Sequence, residues 1–148
     1  VLKSVLRTKS HKQEEKGNYE AAMERLELVG LSPYEETIAE NLAYGQQRRL
    51  EIARALASNP KLLLLDEPAA GMNETETENL FELIKKVQKR GVTVLLIEHD
   101  MPFVMKLCDR IAVLNFGKKL AEGTPTEIQN NQDVIEAYLG SEEDEEIA

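Results

Sequence analysis

Two clusters of charged residues end two apolar runs in this chain. Asp66 and Glu67 close one in "LLLLDEPAAGMN", and Glu98, His99 and Asp100 close the other in "VTVLLIEHD". A carboxylate at the end of a buried strand can hold Mg²⁺ directly or through water, because magnesium keeps most of its waters and takes one or two protein carboxylates. A second carboxylate beside it, projecting differently, can polarise a water for attack on a phosphoryl group. His99 could contact the transferred phosphate or hold the attacking water. A third element lies upstream, where Gly45 in "NLAYGQQRR" stands just ahead of a helical pattern. There the backbone can approach an anion closely, and the unpaired N–H groups and dipole of a helix start favour phosphate. Each element alone also has an ordinary reading: strand ends are polar, Asp-Glu-Pro opens a loop, and glycine caps helices. Two polar clusters on one rim favour an active site.

The apolar periodicity names the elements that must carry these groups. In "YEAAMERLELVGL", Ala22, Leu26 and Val29 recur at helical spacing and Gly30 ends the pattern, after a polar stretch from Lys9 to Asn18. From Gly45 a second helix puts Leu50, Ala53, Leu56 and Ala57 on one face until Asn59-Pro60 stops it. "KLLLLD" and "VTVLLIEHD" do not alternate, which predicts strands buried on both faces. Between them Leu80, Leu83, Ile84 and Val87 mark a helix over Glu74 to Arg90, ended by Gly91. Beyond the second strand the pattern predicts a short helix from Met101 to about Cys108, two strands around a turn at Gly117, and two short helices in "TPTEIQNN" and "DVIEAYLG". Leu2, Val5 and Leu6 show helical spacing at the start, and "SEEDEEIA" reads as a solvated, frayed end. This order predicts a parallel α/β sheet whose ligands sit at the carboxyl ends of the strands, the rim that both charged clusters share.

The bulk properties narrow the chemistry further. At 148 residues and 42% hydrophobic, the chain is one domain or a large piece of a bigger one, with enough apolar mass for a core. A net charge of −9 argues against holding nucleic acid or an anionic membrane by diffuse attraction, so any anion must be gripped locally. The single cysteine, Cys108, reads as a buried structural thiol. No apolar run approaches the roughly 18 residues of a membrane-spanning helix, so a membrane role must go through a partner. Arg48 and Arg49 read as surface ion-pair residues on the second helix.

"NLAYGQQRRLEIARAL", "LLLLDEPAAGMN" and "LLIEHDM" together resemble, in order and spacing, the signature motif, the Walker B strand with its D-loop, and the H-loop of the ATP-binding subunits of ABC transporters. The resemblance runs from about Gly17 to Gly140. The "LAYGQ" form, "DEPAAGMN", "EHDM" and the ending "EGTPTEIQNN…VIEAYLG" look most like the branched-chain amino-acid uptake branch. The resemblance implies an α/β fold, the C-terminal part of an ABC-type P-loop nucleotide-binding domain: a helical subdomain remnant, a parallel sheet with flanking helices and a small antiparallel hairpin. Residues 1–58 would be the helical signature portion, 59–140 the second half of the catalytic core with C-terminal helices, and 141–148 an acidic disordered tail.

The resemblance also implies roles. ATP and Mg²⁺ would be the cofactors, with Asp66 supporting the metal, through water, and Glu67 the general base that orients water. His99 would sense the γ-phosphate. Leu42, Ala43, Tyr44, Gly45 and Gln46 would contact the γ-phosphate of a nucleotide held mainly by an opposing subunit. Ala70 to Asn73, with Gly71, would form the D-loop between the two sites. Ala43 stands where the family has serine and Tyr44 where it has glycine, which leaves Gly45 and backbone N–H groups to carry the phosphate contact. Asn73 stands where the family has aspartate. The partners would be a second ATP-binding subunit and transmembrane permease subunits, with no nucleic acid, and the location the cytoplasmic face of the plasma membrane, peripheral through the permease.

One part of that machinery is missing from the sequence. Nowhere does it contain G-x-x-x-x-G-K-[ST], the loop whose backbone N–H groups and lysine cradle phosphates. The family's glutamine loop and adenine-stacking aromatic lie ahead of the matched region, and the chain opens on Val1. The expectation is therefore the C-terminal part of a longer subunit, inactive alone, with apolar strand faces and unpaired backbone edges exposed. Two alternatives stand beside it. One is a short non-catalytic partner that lends its signature motif to a complete subunit. The other is the C-terminal half of a DNA-associated ABC ATPase, which should bring heptad coiled coils and basic surface that this chain lacks.

Overall fold

The computed structural model of the chain describes residues 9–139. Two compact units divide it, Val1–Ile97 and Glu98–Ala148. Gly140 and the acidic tail, like Leu2, Val5 and Leu6, lie outside the described residues.

The first unit opens with helix α1, Lys9–Leu28, about twice as long as the apolar pattern predicted because it includes the polar stretch before Tyr19. That stretch has no apolar stripe to read, but Lys, Gln and Glu, good helix formers, outnumber its Ser, His, Gly and Asn, and side chains pair along the surface, His11 with Glu15 at 3.3 Å and Lys16 with Glu20 at 3.7 Å. The helix ends at Gly30, whose φ of +71° suits glycine. Leu31 N–H there donates to Leu26 O at 2.7 Å and Gly30 N–H to Glu27 O at 3.0 Å, closing the last carbonyls, while the Leu31 side chain is buried.

Helix α2, Tyr44–Leu56, packs beside α1 and buries Ile52, Ala53 and Leu56. Its buried face is turned from the expected one: Leu50 is half-buried and Ala57 is an exposed C-cap. Helix α3, Glu74–Lys89, buries Leu80, Leu83, Ile84 and Val87, the four residues its periodicity selects, and lies against strand β2. Strands β1, Leu62–Asp66, and β2, Thr93–Ile97, pair in parallel with Leu64 opposite Leu95 and Asp66 opposite Ile97.

These strands are not buried on both faces as predicted. Leu63 is buried and Leu65, Val94 and Leu96 half-buried, but Leu62, Leu64, Leu95 and Ile97 are 50%, 65%, 56% and 60% exposed. The physical reason is that the sheet has only two strands and, among the described residues, nothing covers this face. A run of leucines encodes affinity for burial on both sides, not the presence of a cover.

In the second unit, helix α4, Met101–Leu107, buries Phe103, Val104 and Leu107, and Cys108 is its half-buried C-cap rather than a buried helical thiol. Strands β3, Ile111–Asn115, and β4, Lys118–Gly123, form an antiparallel hairpin, bulged between Val113 and Leu114. Its two-residue turn places Phe116 at φ +46° and Gly117 at +75°, the left-handed pair that matches strand twist. Helix α5, Pro125–Gln129, and the single turn α6, Gln132–Val134, which runs on as a π turn over Ile135–Leu139, bury Ile128 and Val134. Tyr138 Oη donates to Leu114 O at 2.6 Å and holds that end to the hairpin.

Candidate functional site

The carboxyl end of β1 is built by backbone. Glu67 leaves the strand at φ +43°, a conformation that a non-glycine residue adopts at a cost of about 1–3 kcal/mol. Two bonds hold it there: its N–H donates to Ile97 O at 2.9 Å, and its carbonyl accepts from Ala70 N–H at 3.2 Å. The first stitches the end of β1 to the end of β2. Asp66 and Glu67 are both exposed at this junction. Among the described residues no hydrogen bond or ion pair engages the Asp66 carboxylate, so its oxygens are available to a ligand. Nor do the described residues place three or more His, Cys, Asp or Glu side chains around one point. Mg²⁺ fits this donor set, since it needs one carboxylate here and fills its octahedron with water and phosphate oxygens. A cleft of about 180 Å³ runs between α2 and β1, from Arg48 and Ile52 to Asp66 and Pro68. A nucleotide needs more room than that, on the order of 300 Å³ at least.

The turn that starts α2 is held by four consecutive side chains. Its N-cap, Ala43, has no oxygen to offer the helix, and only half of a capping box forms: Gln46 Oε1 accepts from Ala43 N–H at 3.0 Å. Gln47 Nε2 donates to Leu42 O at 2.9 Å. Arg48 Nε donates to Tyr44 Oη at 3.1 Å, its guanidinium lies 5.3 Å from the Tyr44 ring centre, and it pairs with Glu51 at 3.0 Å. The bonds to Glu51, first, and Tyr44 raise the Arg48 pKa above its already high ordinary value. Among the described residues Arg49 makes no such surface pair. It is half-buried and donates to Val29 O at 3.0 Å and Gly45 O at 3.4 Å, tying this turn to the end of α1. Leu42 and Gly45 are buried, whereas Ala43 and Tyr44 are exposed.

The loop after Glu67 returns to this turn. Gly71, at φ +74°, faces the Tyr44 ring: a Cβ there would lie 3.6 Å from Tyr44 Cε1. Asn73 is the N-cap of α3, accepting from Glu76 N–H at 3.0 Å, while Asn73 N–H donates to Glu76 Oε2 at 3.1 Å. Glu76 also lies flat on Gly45, where an added Cβ would be 2.6 Å from Oε1 and 2.9 Å from Cδ. Sequence reasoning missed Glu76. Its signal was the Asn73-x-x-Glu76 spacing of a capping box.

His99, in the second unit, is exposed, and its N–H donates to Glu98 Oε2 at 3.3 Å. Asp100 caps α4 by accepting from Phe103 N–H at 3.0 Å. Glu98 follows Ile97 directly in the chain. The structure thus gathers Asp66 and Glu67 at the joined ends of β1 and β2, and brings Tyr44 and Gly45 together with Gly71 and, through Glu76, Asn73.

Comparison with known proteins gives a consistent result. The sequence model of the ABC transporter family matches residues 2–70, and that of the branched-chain amino acid ATP-binding cassette transporters matches residues 118–144. The chain is 50% identical over 140 residues to the high-affinity branched-chain amino acid transport ATP-binding protein BraF of Pseudomonas aeruginosa, covering 94% of this chain and 55% of that protein. It is 49% identical over 141 residues to LivG of Escherichia coli, which carries the same description, covering 95% and 55%. A crystal structure of an ATP-binding cassette of an ABC transporter in its ADP conformation superimposes with a TM-score of 0.77 at 32% identity, over 84% of this chain and 50% of that one. The chain spans about half the length of the curated relatives it matches.

Proposed function

Because the chain belongs to the ABC transporter family of ATP-binding proteins, we propose that these 148 residues supply one part of an ATP-hydrolysing site that powers import of branched-chain amino acids. The observation that carries this reading is the β1 terminus, where exposed Asp66 and Glu67 are held at the joined strand ends by the Glu67–Ile97 backbone bond. Asp66 would hold Mg²⁺, which neutralises charge on the transferring phosphoryl group. Glu67 would orient the attacking water and accept its proton. The backbone N–H groups of Tyr44 and Gly45 at the start of α2 would meet the γ-phosphate at a helix N-terminus. His99 would contact that same phosphate. The amino-acid class is supported by the identity to BraF and LivG and by the match over residues 118–144. The partners in this reading are a second ATP-binding subunit, which faces the α2 turn, and a permease. Among the described residues no helix is long and apolar enough to cross a membrane, so a permease would supply the path.

No phosphate-gripping loop lies within these 148 residues, and in this reading it comes from chain outside them. The test measures phosphate release by the chain alone and by the chain co-expressed with the phosphate-loop half of the Pseudomonas relative. Release is expected only from the pair, and Glu67→Gln should abolish it. Turnover by the chain alone, or a pair that hydrolyses ATP equally well with Glu67→Gln, would overturn the assignment.

A further inference from the structure

The contact between Glu76 and Gly45 joins two segments that the proposed function treats separately. Glu76 Oε2 is committed to Asn73 N–H at 3.1 Å, which caps α3, while Oε1 and Cδ occupy the space where any side chain at position 45 would begin. Across the same gap the Tyr44 ring rests over Gly71, and Arg48 holds the ring through Tyr44 Oη. One carboxylate and one aromatic ring therefore bridge the α2 turn and the loop of residues 70–73. We infer that Glu76 is a positioning residue: its carboxylate clamps the phosphate-contacting α2 turn to the loop after Glu67, so that the two move as one body.

Three features of the sequence fit together under this inference. Glycine at position 45 leaves the Glu76 carboxylate its seat, independently of any need for close approach to phosphate: a Cβ there would lie 2.6 Å from Oε1, the flexible end of that side chain, and would displace it. Asn73 supplies the same side-chain oxygen to the α3 N-terminus that an aspartate would, accepting from Glu76 N–H at 3.0 Å, so the capping box survives the departure from the family pattern. Tyr44, in place of a small residue, adds the second bridge. A ligand that orders the α2 turn would thereby also order the loop that follows Glu67. This consequence rests on the proposed function; the clamp itself does not.

Hydrogen–deuterium exchange on the full chain without nucleotide tests the clamp apart from any ATPase activity. Glu76→Ala should speed exchange about five- to tenfold in both segments, residues 43–47 and 70–76. Glu76→Gln, which keeps the size and one acceptor oxygen, should restore both. Asn73→Ala, which removes the cap but leaves Glu76 on Gly45, should loosen only the first turn of α3. Gly45→Ala should loosen both segments, and adding Glu76→Ala should change them by less than the sum of the single effects, because the truncation makes room for the new methyl group. Exchange confined to the first turn of α3 in Glu76→Ala, equal loosening of residues 43–47 by Asn73→Ala, or strict additivity in the double variant would overturn the inference. If the clamp holds while the co-expressed pair hydrolyses no ATP, the functional reading falls and the clamp stands.

Discussion

The exposed face of the β1–β2 sheet should make the 148-residue chain associate with itself. Leu62, Leu64, Leu95 and Ile97 each keep at least half of their surface in water. Full burial of such a side chain is worth about 1.5–3 kcal/mol, so covering the exposed half yields about 0.8–1.5 kcal/mol each. Two copies meeting face to face would gain about 6–12 kcal/mol from eight side chains. Association costs about 4–15 kcal/mol in lost freedom, so the apolar face alone is close to break-even. The outer edges of β1 and β2, unpaired among the described residues, offer a separate route, edge-to-edge pairing through backbone hydrogen bonds worth about 1 kcal/mol each. At the favourable end of both ranges, about 12 kcal/mol gained against about 4 lost, the net of about 8 kcal/mol is self-association in the micromolar range. Replacing Leu64 and Leu95 by threonine keeps strand propensity and removes four of the eight side chains, about 3–6 kcal/mol, which weakens association by a hundredfold or more. Because both positions are exposed, the variant should unfold within about 0.5 kcal/mol of the parent. Sedimentation velocity over a concentration series, with binding of a hydrophobic dye, measures both effects. A parent chain that stays monomeric at about 100 μM and binds no more dye than the variant would refute the reasoning, since a face of this size should then be covered.

Two further outcomes concern the second unit. Phe116 is 98% exposed at φ +46° in the hairpin turn, so Phe116→Asn, which tolerates that conformation, should stabilise the chain by about 1 kcal/mol in urea unfolding; a loss of stability would mean that the ring has a role in the folded state. Glu122 is held below the ordinary glutamate pKa chiefly by its hydrogen bonds with Lys119 and Arg110, and Glu127 chiefly by the Thr124 backbone N–H. For a depressed carboxylate the stabilisation is complete above the unfolded value, about 4.3, and is lost as pH falls through the lower folded value. Thermal melts between about pH 3 and 6 should fall on the acid side of that range, less steeply for Glu127→Gln; an unchanged slope would remove Glu127 from the account.

What could be read from the sequence follows from how each element earns its stability. Helix α3 was legible to the residue in its buried face because burial of Leu80, Leu83, Ile84 and Val87 is what holds it, and burial leaves a period of 3.6. The hairpin was legible from Gly117 because its turn needs left-handed backbone. The first half of α1 left no such mark, since helix propensity and side-chain pairs along the surface produce no apolar stripe. The strands were legible as strands, yet their apolar runs record what the surface can bury, not what lies on it. The site divides along the same line. Asp66 and Glu67 stood out because two adjacent carboxylates break off an apolar run abruptly. Arg49 and Glu76 did not, because each sits among other charged residues and differs from them only in its surroundings: the carbonyls of Val29 and Gly45 for one, Asn73 N–H and the open side of Gly45 for the other. Sequence shows where the apolar pattern breaks and which groups stand there. Only the folded chain shows which ordinary ones hold them there, and in this chain that second set meets at Gly45.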